Sequence, residues 1–152
     1  MRLSLSIVIL FAFGLLLNAE PAKKATEEAD KGDKAQLQGT WQVVSLQLGG
    51  EKAPEEVAQA LKYTFEGDKL AVRPAEPGSN SEFTYQLDLT KTPKNIDMRV
   101  TKGRDKGKTL LGIYLLRGDD LNICFAEKFR PTEFVSKAKS DTALVVLKRQ
   151  KS

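Results

Sequence analysis

Phe83-Thr84-Tyr85-Gln86-Leu87-Asp88-Leu89 and, after a turn, Ile96-Asp97-Met98-Arg99-Val100-Thr101 alternate apolar and polar residues without an error. Side chains in a strand point to opposite faces with a period of two, so both segments carry one wet face and one buried face. That pattern belongs to antiparallel sheet, because parallel strands are buried on both faces. Working outward, similar stretches recur. Thr40 to Leu48 reads as a strand ended by Gly49-Gly50, and Lys62 to Phe65 with Lys69 to Arg73 reads as a hairpin around Glu66-Gly67-Asp68. Leu110 to Arg117 and Leu121 to Ala126 pair across Gly118-Asp119-Asp120, and Thr142 to Arg149 is the last strand. Between the first two strands, Ala53-Pro54-Glu55-Glu56 opens a short helix to Leu61, with Val57, Ala60 and Leu61 on one face. Pro74 to Ser81 is a plain loop.

Eight antiparallel strands must manage their edges, and closure into a barrel removes them. Gly112, inside a strand, fits a bend where a closing sheet turns sharply. A two-sheet sandwich competes, and periodicity does not separate the two.

The chain has 152 residues, with 24 basic and 20 acidic side chains, one Cys and no His. The length suits one domain. Without histidine there is no Ser-His-Asp or Cys-His nucleophile system and no HExxH zinc site. One cysteine forms neither an internal disulfide nor a Cys₄ zinc site, so no metal and no cofactor are expected. A net charge of +4 falls short of the basic stripe that nucleic-acid binding requires.

Arg2 followed by the apolar run Leu3 to Leu17, with Ala19 as a small residue for cleavage, reads as a secretory signal over residues 1–19. The run is short for a membrane span, which needs about 20 apolar residues. Residues 20–36 carry mixed charge and read as a disordered spacer, because they offer too little apolar surface to offset their ordering entropy. The folded domain is expected over 37–150, exported to a periplasmic or extracellular location, monomeric, and without a membrane span once the signal is cleaved.

Gly39-Thr40-Trp41 at the start of the first strand decides between barrel and sandwich. It resembles the G-x-W of lipocalins and related calycin barrels, whose indole closes the barrel base beneath a basic residue of the last strand. Lys148 and Arg149 stand in that neighbourhood, and an Arg over Trp is a favourable cation–π pair. From LQGTW (37–41) through YTFEGDKL (63–70), PKNID (93–97), GIY (112–114), LNIC (121–124) and RPTEF (130–134) to VVLKR (145–149), the domain resembles an uncharacterised lipocalin-like family expanded in planctomycete bacteria. The resemblance implies an all-β fold: an eight-stranded antiparallel lipocalin-like β-barrel with one short helix between strands 1 and 2. Gly39, Trp41 and Arg149 are then structural. It assigns no activity.

Other motifs dissolve on inspection. Gly107-Lys108-Thr109 lacks the upstream glycine of a P-loop and leads into a strand rather than a helix. The loop from Lys102 to Lys108 reads as a solvated turn. Ser136 and Lys139 share the bare spacing of a serine-lysine acylase without its partner motifs. Asp88 and Asp97 lie on outward faces as surface carboxylates. Cys124 reads as a small residue tucked under the RPTEF loop.

The barrel interior is therefore the candidate site, with Tyr63, Phe65, Phe83, Tyr85, Met98, Ile113 and Phe125 as lining residues, and Tyr63 and Tyr85 able to orient a polar group. An eight-stranded barrel either fills with side chains or just holds one small ligand. Two functions follow. One is an exported, non-enzymatic domain binding a small apolar or amphipathic molecule. The other is a protein-interaction or inhibitor module on a filled scaffold, meeting an extracytoplasmic protein through its loops.

Overall fold

The computed structural model describes residues 31–74 and 78–152. The expected signal segment, the first part of the spacer and residues 75–77 of the loop lie outside the described residues. The described chain forms α1 (residues 31–37), β1 (Gly39–Leu48), β2 (Glu51–Lys52), α2 (Glu55–Gln59), β3 (Lys62–Glu66), β4 (Lys69–Arg73), β5 (Ser81–Asp88), β6 (Lys94–Lys102), β7 (Thr109–Arg117), β8 (Asp120–Ala126) and β9 (Ala143–Arg149). Each strand from β3 to β9 pairs antiparallel with the next, and β1 pairs with both β3 and β9, which closes an eight-stranded barrel. The two-residue β2 folds back on the end of β1, so the short helix follows β2 rather than β1 directly.

The turns at 66–69, 88–94 and 117–120 gather with the start of β1 at one end, the base. The longer connections 48–62, 73–81, 102–109 and 126–143 ring the other end, the mouth.

Register explains several local choices. Val44 is an extra residue between the pairs Val43↔Leu147 and Ser45↔Val146, a β-bulge that reverses the alternation. Leu46 then turns inward and packs on the core while Val44 is exposed. β3 begins opposite Gln42, so the upper half of β1 lacks a strand neighbour on that side apart from β2. Helix α2 fills this gap. Gln42 Nε2 donates to the carbonyls of Gln59 (2.6 Å) and Leu61 (3.0 Å), and Ala58 enters the core. The expected apolar face of this helix is corrected: Ala58 and Leu61 turn inward, and Val57 is exposed.

The apolar strands β7 and β9 have two dry faces. Their inner residues reach the core, while the segment 127–142 crosses outside. Beneath it Ile113, Cys124 and Ala126 are buried, and Cys124 Sγ lies 3.7 Å from the Val135 carbonyl. Burial raises the thiol's pKa, partly offset by that backbone contact. Ser136 is structural: its hydroxyl donates to the Thr142 carbonyl and accepts from the Gly50 N–H.

Residues 31–36, assigned to the spacer from sequence, are helical within α1. Although this stretch has no apolar residue larger than Ala, the barrel base supplies the partners that order it. Asp33 Oδ2 accepts from Lys94 Nζ (2.8 Å) and Tyr114 Oη (2.7 Å). Leu37 is fully buried beneath the barrel.

Candidate functional site

The two ends of the barrel have opposite characters. At the base, Trp41 is completely buried, its Nε1–H donates to the Leu37 carbonyl at 2.8 Å, and the Arg149 guanidinium lies 4.3 Å from the ring centroid. Arg149 also donates to the carbonyls of Gln36 and Gln38, and pairs with Asp119 at 3.2 Å. A helix leaves its last carbonyls unpaired and carries partial negative charge there, so a guanidinium and an indole N–H are apt partners for this one. Gly39 adopts φ +112, which side-chain-bearing residues rarely adopt, and a Cβ there would stand 3.6 Å from Arg149 Nη1. The three structural residues named from sequence thus meet in one assembly.

Tyr85 belongs to this base as well. Its hydroxyl donates to the Gly67 carbonyl (2.8 Å) and accepts from Gln38 Nε2 (3.1 Å). Its pKa is raised, chiefly by burial, with the Gln38 hydrogen bond lowering it and the Asp68 charge raising it. Phe65 packs edge-to-face on the same ring at 5.2 Å. Met98, Ile96 and Tyr114 fill the space beside them. Phe65, Tyr85 and Met98 are therefore core rather than lining, while Leu87 and Leu116, also near the base, pack on the core and remain partly exposed.

Ile113 requires correction. It faces outward, paired across the sheet with Asn95 and Cys124, beneath the segment 127–142. Tyr114 takes the inward position opposite Ile123, and Gly112 the one opposite Ile96. A Cβ at Gly112 would stand 3.1 Å from both Ile96 Cγ2 and the Cys124 carbonyl. The run Leu-Leu-Gly-Ile-Tyr-Leu-Leu is apolar at both parities, so periodicity gives β7 no phase.

The mouth is different. Leu46 on β1, Leu61 before β3, Val72 on β4, Phe83 on β5, Leu110 on β7 and Phe125 on β8 all pack on the core yet remain partly exposed. They form a ring of apolar side chains at the mouth, drawn from β1, β4, β5, β7 and β8 and from the residue before β3. Two of them, Phe83 and Phe125, were among the lining residues expected from sequence. Leu46 was hidden by the bulge and Leu110 by the unphased β7.

Tyr63 sits between the buried Phe65 and this ring. It pairs across the sheet with Trp41 on one side and Val72 on the other, and it is 7 % exposed. Burial pushes its phenol pKa far above the ordinary value. Its hydroxyl makes no hydrogen bond among the described residues.

Larger concavities lie outside the barrel. One of about 670 Å³ is lined by Lys31, Lys34, Asp68, Gln86 and Arg99, and another of about 650 Å³ by Lys69, Ala71, Arg73, Glu82 and Lys106. Tyr85 and Leu87 also line the first, and Leu70 and Phe83 also line the second, so each mixes polar and apolar walls. Asp97, near the first, meets Arg130 Nη2 at 2.6 Å as an ion pair. Asp88 accepts from the N–H and hydroxyl of Thr90, which lowers its pKa, and it pairs across the sheet with Asn95 rather than Asp97. The two carboxylates are thus separately engaged. Among the described residues no group of three or more potential metal-ligating side chains occurs, and no helix is long and apolar enough to cross a membrane. Compared with protein-family models, with curated proteins and with solved structures, the chain gives no match.

Proposed function

We propose that this chain is an exported, non-enzymatic lipocalin-like barrel that binds a small apolar or amphipathic molecule at its mouth. The observation that carries the reading is the ring of inward-facing, partly exposed apolar side chains at the mouth, above the buried Phe65, Tyr85 and Met98. Small-molecule sites are concave and mostly apolar, with few polar groups, and the mouth has that composition. The N-terminal run of apolar residues after Arg2 supports export.

The test is to purify the protein from its native compartment, weigh it by native mass spectrometry, and extract whatever it retains. A co-purifying small molecule, displaced by apolar dyes in the wild type and absent from Phe83→Asp, is the expected result. A protein that arrives empty and fails to bind a panel of apolar dyes overturns the reading.

A second reading has its own support. Phe129 and Val135, on the segment 127–142, are 44 % and 49 % exposed. Exposed apolar side chains on a loop over a filled scaffold suit an interaction or inhibitor module acting on an extracytoplasmic protein. An empty mouth together with capture of one defined partner, lost in Phe129→Ser, would favour it.

A further inference from the structure

The barrel holds two inward-facing tyrosines one layer apart, and their hydroxyls have different fates. Tyr85 is fully engaged at the base by Gln38 and Gly67. Tyr63, 7 % exposed, has no hydrogen-bond partner among the described residues. The fully buried polar atoms without a hydrogen-bond partner among the described residues are Asp97 Oδ1, which is ion-paired to Arg130, and Thr142 Oγ1. The Tyr63 hydroxyl is thus not sealed from solvent and is free to meet an incoming group.

We infer that the Tyr63 hydroxyl is the polar anchor of the mouth, and that the ligand is an uncharged molecule with a hydrogen-bond acceptor at the inner end of an apolar body. This rests on the mouth-binding reading above. The position of Tyr63 sets the orientation: on β3 it lies between Leu61 on the mouth side and Phe65 on the base side, with Val72 of the ring opposite it. A polar group reaching it must enter first, leaving the apolar body against Phe83, Leu110 and Phe125.

The surroundings set the charge. Tyr63 lies among Trp41, Phe65 and Val72, and a charge buried there would lack a partner. Arg73, next to Val72 on β4, is exposed on the outside, and Arg149, across Trp41 in the same row, is already held by the Gln36 and Gln38 carbonyls and by Asp119. The raised pKa of Tyr63 keeps the phenol protonated, so it acts as a donor. A ketone, ester or ether oxygen therefore fits, and a carboxylate does not.

The experiment compares octane with 2-octanone, two probes of similar size, by headspace partitioning over the full chain. Wild type, Tyr63→Phe and Tyr85→Phe are measured below their melting temperatures, with circular dichroism confirming the fold. The expected result is that Tyr63→Phe weakens 2-octanone binding about tenfold, the equivalent of one neutral hydrogen bond, and leaves octane unchanged. Tyr85→Phe should leave the preference for the ketone intact. If wild type and Tyr63→Phe hold both probes alike, the anchor is overturned and the mouth site stands. If no protein retains either probe, the mouth reading fails and the anchor with it.

Discussion

Trp41 and Arg149 show how much one side-chain pair can organise. The indole fills the barrel base, its N–H satisfies one terminal carbonyl of α1, and the guanidinium above it satisfies two more. Lysine could not substitute, since a point charge cannot lie flat on a ring while donating along several directions. Trp41→Ala should therefore cost about 3–5 kcal/mol, the range for deleting a large buried aromatic. Urea unfolding followed by circular dichroism would measure it, and a loss below about 1 kcal/mol would contradict the placement. Tyr63 makes the complementary point at this scale. Its apolar neighbourhood was legible from strand alternation, but the lack of a partner for its hydroxyl was not.

Among the elements, β5 and β6 were readable because each has one polar face, whereas β7 was not. Both faces of β7 are covered, by the core within and by the segment 127–142 without, so selection for apolar residues acted at both parities. That is why Ile113 was assigned to the interior in place of Tyr114. Gly112 is where β7 tolerates least change. Gly112→Ala would place a methyl against Ile96 Cγ2 and the Cys124 carbonyl, and overpacking of this kind costs about 1–3 kcal/mol. A reduced urea midpoint at unchanged m-value is the expected signature. Helix α1 teaches a related lesson. A charged segment lacking large apolar residues was read as spacer, yet Lys94 and Tyr114 bind Asp33 across the base. Those partners lie 61 and 81 residues away in sequence, beyond any local pattern.

For the whole molecule, closure of the sheet joins β1 to β9 without any covalent cross-link among the described residues. With one buried thiol and no histidine, the chain has neither covalent staples nor an imidazole switch, and its pH response falls to other groups. Tyr63 and Tyr85 both have pKa values raised by burial. Above the ordinary tyrosine value of 10.0 the unfolded chain releases phenolic protons that the folded protein keeps. The unfolded state then binds fewer protons, and stability falls as pH rises. Urea midpoints should accordingly drop above about pH 10, and Tyr63→Phe should flatten that decline. Tyrosinate absorbance would show Tyr63 ionising only on unfolding.

The sequence alone determined the eight barrel strands, their antiparallel pairing and the inward faces of β3 to β6. These follow from local periodicity and short turns, which act between near neighbours in the chain. The closed barrel itself rested on the G-x-W resemblance at Gly39, Trp41 and Arg149. Only the tertiary structure decided which inward residues are packed and which are open. That distinction depends on the shear of the closed sheet, the bulge at Val44, and what caps each end. Helix α1 covers the base, where Leu37 and Trp41 are buried, while loops ring the mouth, where Leu46, Leu110 and Phe125 stay partly exposed.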